Sequence, residues 1–543
     1  MRKFLTFFAA AFITGSLFAG GLVTNTNGSA AWVRLPSRNA SVGIDAAYFN
    51  PAGLMKLNNG FHFSVSNQTI SQVKKVENFY KGPGGIYGLN NSYYAGKVTA
   101  PAYPSVFAVY KTDRLAFSFG FLPVGGGGGV TYKAGLPSFE LSVSDLVPSL
   151  NASQGASGYR VNTYFEGTSV FFGFQGGVSF KINEMISVAA GLRYVTAKNT
   201  YEGYMKDIEV YLPTGWIRAD AVMTGIAGSA NTASLSTTAL VNGGAGTLTL
   251  AQAQTAGIIT ALQRAQLEGA LAAFGSPTTV PIATADAVFK GAYAKYTATA
   301  TLLGDQSADV KQTGTGFTPI LSVNISPSEN LNIGIKYEFI TRMVLENKTA
   351  SDFLSGYTTT GSPITMFPDG DLTPADMPAM LSVGIDYKLS SQLKLSLGSE
   401  YFFDKNADYG HKMDLDDNSA TPSTFVKNSY IIKNNGFSLQ GGLEYNINEK
   451  LLISGGYVWA NKGVNANYQS DLTYGLATST FGIGGAYSIM DNLQINLGVS
   501  STVYVKDEKY IDHVFSATNT LYKARETYGK NTMIFGIGVD FSF

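Results

Sequence analysis

The segment Asn531-Thr-Met-Ile-Phe-Gly-Ile-Gly-Val-Asp-Phe-Ser-Phe543 decides the fold class of this 543-residue chain. Every second position from Met533 to Phe543 carries a large apolar side chain, and most of the residues between them are small or polar. This alternation has the two-residue period of a β-strand with one apolar face. The segment therefore predicts a long amphipathic strand.

The same alternation recurs along the chain. In residues 331–339 apolar side chains again alternate with amide, glycine and charged residues, and four further segments repeat the pattern: 381–389, 393–398, 437–447 and 493–500. In water, the apolar face of such a strand would pack into a core. In a membrane barrel the two faces exchange roles, because apolar side chains meet lipid and polar ones line a lumen.

The lengths of the connections distinguish these two arrangements. We predict about fourteen strands, near residues 60–73, 102–111, 114–124, 168–181, 185–200, 312–326, 330–346, 378–390, 392–404, 432–447, 450–462, 475–489, 492–508 and 530–543. Turns of a few residues alternate with long loops, among them residues 74–101, 125–167, 201–311 and 347–377. Short periplasmic turns opposite long external loops are typical of outer-membrane barrels. The predicted fold class is all-β, a transmembrane antiparallel β-barrel of about 14 strands.

Composition excludes several classes of function. Charged residues make up 14% of the chain, against about 25% in soluble globular proteins, and 38 basic residues balance 38 acidic ones. A nucleic-acid interface needs a basic face, so no nucleic-acid partner is predicted. The chain has no cysteine, which excludes disulfides and thiolate metal sites.

The first residues have the pattern of an export signal. The basic pair Arg2 and Lys3 precedes an apolar run that ends at Phe18, and small residues follow it. We predict a signal peptide over residues 1–19; the alternative is a buried N-terminal helix. No other stretch is apolar over the about 18 residues that a membrane-spanning helix needs, so no such helix is predicted.

Residues suited to catalysis are scarce. The three histidines are His62, His411 and His513, and none stands in a Ser–His–acid or metal-ligand spacing. The sequence therefore predicts neither an enzyme nor a cofactor or metal site.

The most specific local motif is Asn39-Ala-Ser-Val-Gly-Ile-Asp-Ala-Ala-Tyr-Phe-Asn50-Pro51-Ala52-Gly53-Leu54, just before the first predicted strand. Together with Asn25-Thr-Asn-Gly-Ser-Ala-Ala31, it resembles the N-terminal hatch of the FadL-type outer-membrane transporters, the OmpP1/FadL/TodX family. The signal peptide, the predicted number of strands and the terminal phenylalanine agree with that family. The alternative for Asn50, Pro51, Ala52 and Gly53 is an ordinary turn before a strand.

The resemblance implies a domain organisation. Residues 20–59 would form a small hatch in the lumen, and residues 60–543 would form the barrel. Glycines on the predicted inward face, among them Gly484 and Gly498, leave room in the lumen. The alternative for these glycines is that they mark curvature of the barrel.

The resemblance also implies a function, the passive uptake of hydrophobic small molecules such as long-chain fatty acids or aromatic hydrocarbons. Ligand would be captured in an apolar groove between loops 201–311 and 347–377, where Phe353 and Leu354 are candidate contacts. Within the first of these loops, apolar residues from Ile258 to Phe274 have near-helical spacing and predict an external helix.

In this family, ligand leaves sideways into the membrane through a break in strand 3. Pro123, Gly125 and Gly126 are the candidate residues for that opening, because proline cannot donate to a sheet ladder and glycine weakens it. The alternative for the glycines is a flexible external loop.

The alternation places four cations inward, Arg193, Lys336, Lys388 and Lys394, and of these Arg193 and Lys336 are nearer the middle of their strands. A fatty-acid carboxylate would bind a cation in the lumen, so both are candidate substrate-binding residues. The alternative is a network of ion pairs across the lumen.

The expected partners are a hydrophobic substrate, outer-membrane lipid with lipopolysaccharide, and the barrel-assembly machinery through Phe543. We expect a monomer in the outer membrane of a Gram-negative bacterium. Two other functions stay open at this point, a porin-like channel and a ligand-binding or adhesion barrel.

Overall fold

The computed structural model describes residues 22–85, 87–358, 360–413, 423–515 and 520–543. The predicted signal peptide, residues 1–19, lies outside the described residues.

Fourteen long strands form one closed antiparallel sheet. They are β1 (Gly60–Phe79), β2 (Tyr93–Lys111), β3 (Leu115–Tyr132), β4 (Gly158–Lys181), β5 (Ile186–Leu212), β6 (Gln306–Ser328), β7 (Leu331–Glu338), β8 (Met380–Lys388), β9 (Leu393–Phe402), β10 (Gly436–Asn446), β11 (Leu451–Asn461), β12 (Thr478–Met490), β13 (Leu493–Tyr504) and β14 (Thr520–Ser542). Each strand pairs with the next, and β14 pairs with β1, with Asp540 opposite Ser64. The predicted barrel of about 14 strands is confirmed, and its closure satisfies backbone hydrogen bonds that lipid cannot.

The outer surface of the barrel is apolar around its middle. Val65, Phe317 and Ile483 are 55%, 57% and 69% exposed. The side chains that alternate with them point inward and are often polar, as Ser64 and Thr318 are. An exposed apolar face and a buried polar face are the inverse of a water-soluble sheet, so the predicted assignment of faces is confirmed.

The turns at one end of the barrel are short, and we call this the periplasmic end. Residues 182–185 join β4 to β5, residues 389–392 join β8 to β9, and residues 447–450 join β10 to β11. These turns lie at the predicted positions. The chain terminus closes the same end, since the Phe61 backbone N–H donates to the Phe543 oxygen at 2.8 Å.

Several strands extend further at the opposite, external end than predicted. β5 continues to Leu212 and β4 begins at Gly158. The loops predicted at residues 74–101, 125–167 and 201–311 are therefore shortened to 80–92, 133–157 and 213–305. The strand predicted at 330–346 is instead shorter than predicted at its external end. β7 ends at Glu338, and the loop after it spans residues 339–379.

The sequence pattern reverses in these extensions. In β5, Tyr201 and Met205 are buried inside the barrel, whereas Glu202 and Lys206 are exposed on its outer face. A strand surrounded by water keeps its apolar face inward, and a strand surrounded by lipid keeps it outward. A prediction that places the apolar side chains outward along the whole strand therefore does not detect these extensions.

Eight α-helices lie in the described part of the chain. They are α1 (Ala30–Arg34), α2 (Ala46–Phe49), α3 (Pro137–Ser144), α4 (Leu146–Gln154), α5 (Ala219–Leu240), α6 (Leu250–Thr255), α7 (Ala261–Ala273) and α8 (Ile282–Leu302). Helices α5–α8 fill the loop between β5 and β6 and share an apolar core that includes Leu250, Leu271 and Phe289. The external helix predicted between Ile258 and Phe274 corresponds to α7. No helix of the described residues is both long and apolar enough to cross a membrane.

Several short strands also lie at the external end. They span Gly215–Arg218, Val344–Ser351, Leu354–Tyr357, Pro363–Thr365, Leu372–Pro374, Lys412–Met413, Thr424–Phe425 and Asp507–Phe515.

Candidate functional site

Residues 22–57, which we call the N-terminal segment, lie inside the barrel and include α1 and α2. The segment rests on inward-facing glycines of the wall. A Cβ on Gly484 would lie 2.8 Å from the Cβ of Arg34, and one on Gly498 would lie 2.7 Å from the Arg34 nitrogen. The space that these glycines leave in the lumen is therefore occupied by the chain itself.

The Asn50-Pro51-Ala52-Gly53 motif fixes the segment to the wall. The Asn50 side-chain amide donates to Asn324 Oδ1 of β6 at 2.7 Å. Gly53 packs so closely that a Cβ would lie 2.6 Å from the Ser41 carbonyl oxygen. Two backbone carbonyls of the motif accept hydrogen bonds from serines of β4 and β5, Pro51 from Ser179 and Ala52 from Ser187, each at 2.7 Å. The motif thus contacts three strands of the wall, and its role as a hatch stays a prediction.

Arg193 and Lys336 both bind Glu338. The Arg193 guanidinium donates to the two Glu338 carboxylate oxygens at 2.7 and 2.9 Å, and Lys336 Nζ donates to the same carboxylate at 2.7 Å. All three side chains are buried. The Tyr48 ring covers both cations, with its centroid 5.1 Å from the guanidinium carbon and 4.5 Å from Nζ. This is the ion-pair network that the sequence left open, and contact of either cation with substrate stays a prediction.

The sheet is interrupted between β2 and β3. Pairing runs from the periplasmic end up to Val106 opposite Phe121 and resumes at Val98 opposite Val130. We call the stretches between them, residues 99–105 of β2 and 122–129 of β3, the wall break. On its other side β3 stays paired with β4, but its register shifts twice between Pro123 and Gly128.

β3 turns inward at the wall break. Every residue from Leu122 to Gly127 is buried, whereas a regular barrel strand alternates between buried and exposed positions. Gly126 has a φ of 89°, a left-handed value that favours glycine. The predicted opening residues Pro123, Gly125 and Gly126 thus lie at the interruption of the sheet rather than in an external loop.

The N-terminal segment lies against the inner side of the wall break. The Asn25 backbone N–H donates to the Val124 carbonyl oxygen at 2.9 Å, and Thr24 forms an isolated β-bridge with Gly125. The Tyr48 hydroxyl holds this contact by donating to the Asn25 carbonyl oxygen at 2.8 Å.

Two tyrosines of this region were missed by sequence reasoning. Tyr103 of β2 donates its hydroxyl to the Pro123 carbonyl oxygen at 2.8 Å and so connects the two sides of the wall break. Tyr48 covers the ion pairs and braces Asn25. The available signals were the quoted N-terminal motif, which contains Tyr48, and the two prolines that flank Tyr103.

Phe353 and Leu354 do not line an open groove. Phe353 is fully buried, with its ring centroid 5.4 Å from that of Phe139 in α3. Leu354 is half-buried, and its N–H donates to Gln306 Oε1 at 2.7 Å. The predicted external groove is therefore replaced by an apolar filling of the barrel extension.

One continuous cluster of buried apolar side chains joins this filling to the wall break. Phe353 and Phe139 belong to it at the external end, and Leu122 and Val124 belong to it at the wall break. We call this group the lumenal apolar cluster. The external half of the lumen is thus apolar.

The periplasmic mouth has the opposite character. It holds a cavity of about 550 Å³ lined mostly by polar and charged side chains, including Lys56, Asn332, Asp386, Lys394 and Glu444. Among the described residues, no group of histidine, aspartate and glutamate side chains has the arrangement of a metal site.

No protein-family model matches the sequence, and no curated protein sequence matches it. Solved structures share its fold. A FadL homologue of Pseudomonas aeruginosa superposes with a TM-score of 0.57 at 13% identity, over 96% of this chain and 100% of that one. The toluene transporter TodX of P. putida has a TM-score of 0.48 at 14% identity, over 92% of this chain and 94% of that one. TbuX, the toluene transporter of Ralstonia pickettii, has a TM-score of 0.45 at 15% identity, over 92% and 94%. This chain, with fourteen strands in a closed sheet, a filled lumen and an interrupted third strand, therefore has the fold of the FadL-type outer-membrane barrels.

Proposed function

We propose that this chain is an outer-membrane transporter that lets hydrophobic small molecules, such as long-chain fatty acids or aromatic hydrocarbons, cross passively. The observation that carries the proposal is the lumenal apolar cluster, which reaches from Phe353 at the external end to Val124 at the wall break. A general diffusion porin has a polar, water-filled lumen, which this barrel lacks in its external half. The proposed location is the outer membrane of a Gram-negative bacterium, and the proposed state is a monomer assembled through Phe543.

Capture is proposed to occur among the external aromatic residues. Phe353 and Leu354 lie where α3 and the loop 339–379 meet, and separation of these elements would admit an apolar molecule. Arg193 and Lys336 would reach a polar head group only after Tyr48 moves off them. No chemical step is proposed.

Release is proposed to occur sideways through the wall break. A ligand with about 300 Å² of apolar surface gains roughly 7 kcal/mol by avoiding water, at ~25 cal/mol per Å². Exit through the charged periplasmic mouth would give up that gain, whereas exit between β2 and β3 passes the ligand directly to lipid.

The N-terminal segment is proposed to gate this exit. Opening breaks the contacts of Thr24 and Asn25 with β3, and a backbone hydrogen bond contributes only about 1 kcal/mol net. The binding energy of an apolar ligand is large enough to open such a contact.

The register of β3 gives a direct test. From Pro123 to Gly128 β3 advances five residues, while its partners on β4, Phe172 to Ser169, advance three, so β3 carries two extra residues. Deleting Gly126 and Gly127 would let β3 pair with β4 without these extra residues. The stretch from Phe121 to Val130 would then advance seven residues against eight in residues 98–106 of β2, so the two strands could pair across the wall break with one bulged residue in β2.

We expect cells that carry this deletion to take up radiolabelled oleate or toluene no faster than cells without the gene. The matched control is Gly176→Ala, whose added methyl group would meet no atom within 4 Å. If the deletion prevents folding, Gly125→Val keeps the chain length and fills the inner side of the wall break, where a Cβ lies 2.8 Å from the Val23 carbonyl oxygen. Wild-type uptake in a folded deletion variant would overturn lateral release, and a large steady conductance in planar bilayers would favour a porin.

A further inference from the structure

Two lysines face each other inside the barrel without a carboxylate beside them. Lys74 of β1 and Lys530 of β14 are directly opposite Cα partners, and they are 1% and 5% exposed. Among the described residues, neither lysine is within salt-bridge distance of an acidic side chain, and the Lys74 ammonium group donates no hydrogen bond. Lys530 Nζ donates to the Tyr474 carbonyl oxygen at 3.0 Å.

This arrangement of the two lysines is unfavourable. Like charges directly opposite on neighbouring strands repel each other, and a buried ammonium group without a partner is poorly solvated. Lys462, also 5% exposed, adds a third positive charge close enough to interact with Lys530. An anion placed between Lys74 and Lys530 would remove both penalties.

A third donor lies beside the lysines. The buried Tyr132 hydroxyl has no hydrogen-bond partner among the described residues. Its ring packs over Gly96, the β2 partner of Lys74, where a Cβ would lie 2.5 Å from the ring. The buried carboxylates on this side of the lumen already accept hydrogen bonds, Glu526 from Asn78 and Tyr528 and Asp471 from the Ser138 N–H. The two lysines and Tyr132 therefore offer three donors to a group with two acceptor oxygens.

The surroundings suit an apolar tail. The Lys530 ammonium lies 4.4 Å from the centroid of the Tyr474 ring, and Tyr474 belongs to a buried cluster with Val76, Tyr94, Tyr504 and Tyr528. The wall break begins next to Val98, which pairs with Gln72. Lys74 is two residues further along β1, at about 3.3 Å per residue, so the lysines lie at the external edge of the wall break.

We propose that Lys74 and Lys530 bind the carboxylate head of a single-chain amphiphile whose tail extends to the wall break. The proposal rests on the proposed function and narrows its substrate class to amphiphilic carboxylates. It assigns the head group to lysines other than Lys336, because Lys336 and Arg193 already bind the Glu338 carboxylate.

Comparing the binding of two ligands with the same tail separates the contribution of the head group to affinity from that of the tail. Tritiated dodecanoate and dodecan-1-ol would be measured on the full chain in a nonionic detergent. K74Q/K530Q should weaken dodecanoate binding by about tenfold or more, because a hydrogen bond to a charged group contributes about 1.5–3 kcal/mol, and should leave dodecan-1-ol binding within about twofold. K74R/K530R keeps the charges and should retain dodecanoate binding. The matched control is Lys97→Gln, on the exposed face of β2.

The outcomes distinguish this proposal from the proposed function. Folding of each variant is checked by the mobility shift of the heated barrel on gels. If folded K74Q/K530Q binds dodecanoate within about twofold of wild type while wild-type cells take up dodecan-1-ol, the lysine site is refuted and the transporter stands. If wild-type cells take up neither compound, the proposed function is refuted, and the lysine site with it.

Discussion

Glu338→Gln probes how well the lumen is sealed from water. The Glu338 carboxylate accepts three hydrogen bonds, at 2.7–2.9 Å, from Arg193 and Lys336, whose exposures are 1% and 2%. The substitution keeps the shape of the side chain but removes the charge of the carboxylate that both buried cations bind. Breaking a buried ion pair by removing one partner costs about 3–5 kcal/mol. We expect the free energy of unfolding to fall by that amount.

The assay is guanidinium unfolding of the refolded barrel in detergent, followed by intrinsic fluorescence. The matched control is Glu268→Gln in α7, because the Arg264–Glu268 pair is at the surface, with side-chain exposures of 38% and 24%. A pair of that kind contributes about 0.5 kcal/mol or less. If Glu338→Gln loses no more stability than Glu268→Gln, the ion pairs are solvated, which contradicts their burial in a lumen filled by the chain.

Three other outcomes are expected. Gly498→Leu places a side chain 2.7 Å from the backbone of the N-terminal segment and should raise conductance in planar bilayers, whereas Gly176→Leu on the open outer face should not. Burial, followed by the positive charge of Lys509, lowers the pKa of His411 from 6.5 to about 4, so the stability that neutral His411 gives the external loops is lost as the pH falls from 6.5 toward 4. The protection factors of residues 423–432 against hydrogen exchange should therefore fall over this range in wild type and stay constant in His411→Gln. Lys74→Gln should raise the unfolding midpoint of the ligand-free protein, and a lowered midpoint would contradict the repulsion inferred at that position.

The transmembrane parts of the fold follow from the sequence because two signals coincide there. Apolar alternation marks each strand, and turn residues such as Ser390 and Asn448 mark its periplasmic end. The external ends carry no comparable signal. In the part of β5 from Thr200 to Leu212 the apolar residues lie on the opposite face, because water replaces lipid outside it.

The site was less predictable than the strands, since it depends on contacts between distant parts of the chain. Pro123 and Gly125 indicated a break in the third strand, but only the register with β4 shows that β3 holds two extra residues. The alternation placed Arg193 inward without showing that Glu338 lies beside it. Phe353 was predicted in an open groove and lies instead in the lumenal apolar cluster, because the loop that carries it folds into the barrel extension.

Photo-crosslinking gives the most direct view of the path that substrate takes. Cells producing the chain would be loaded with a fatty acid that carries a diazirine in its tail, irradiated, and analysed by mass spectrometry for labelled residues. Labels on Phe353, Leu122 and Val124 of the lumenal apolar cluster, suppressed by excess unlabelled fatty acid, are the predicted result. Labels confined to lipid-facing residues such as Phe317 and Ile483, and unaffected by competitor, would show that the probe dissolves in the membrane without entering the barrel.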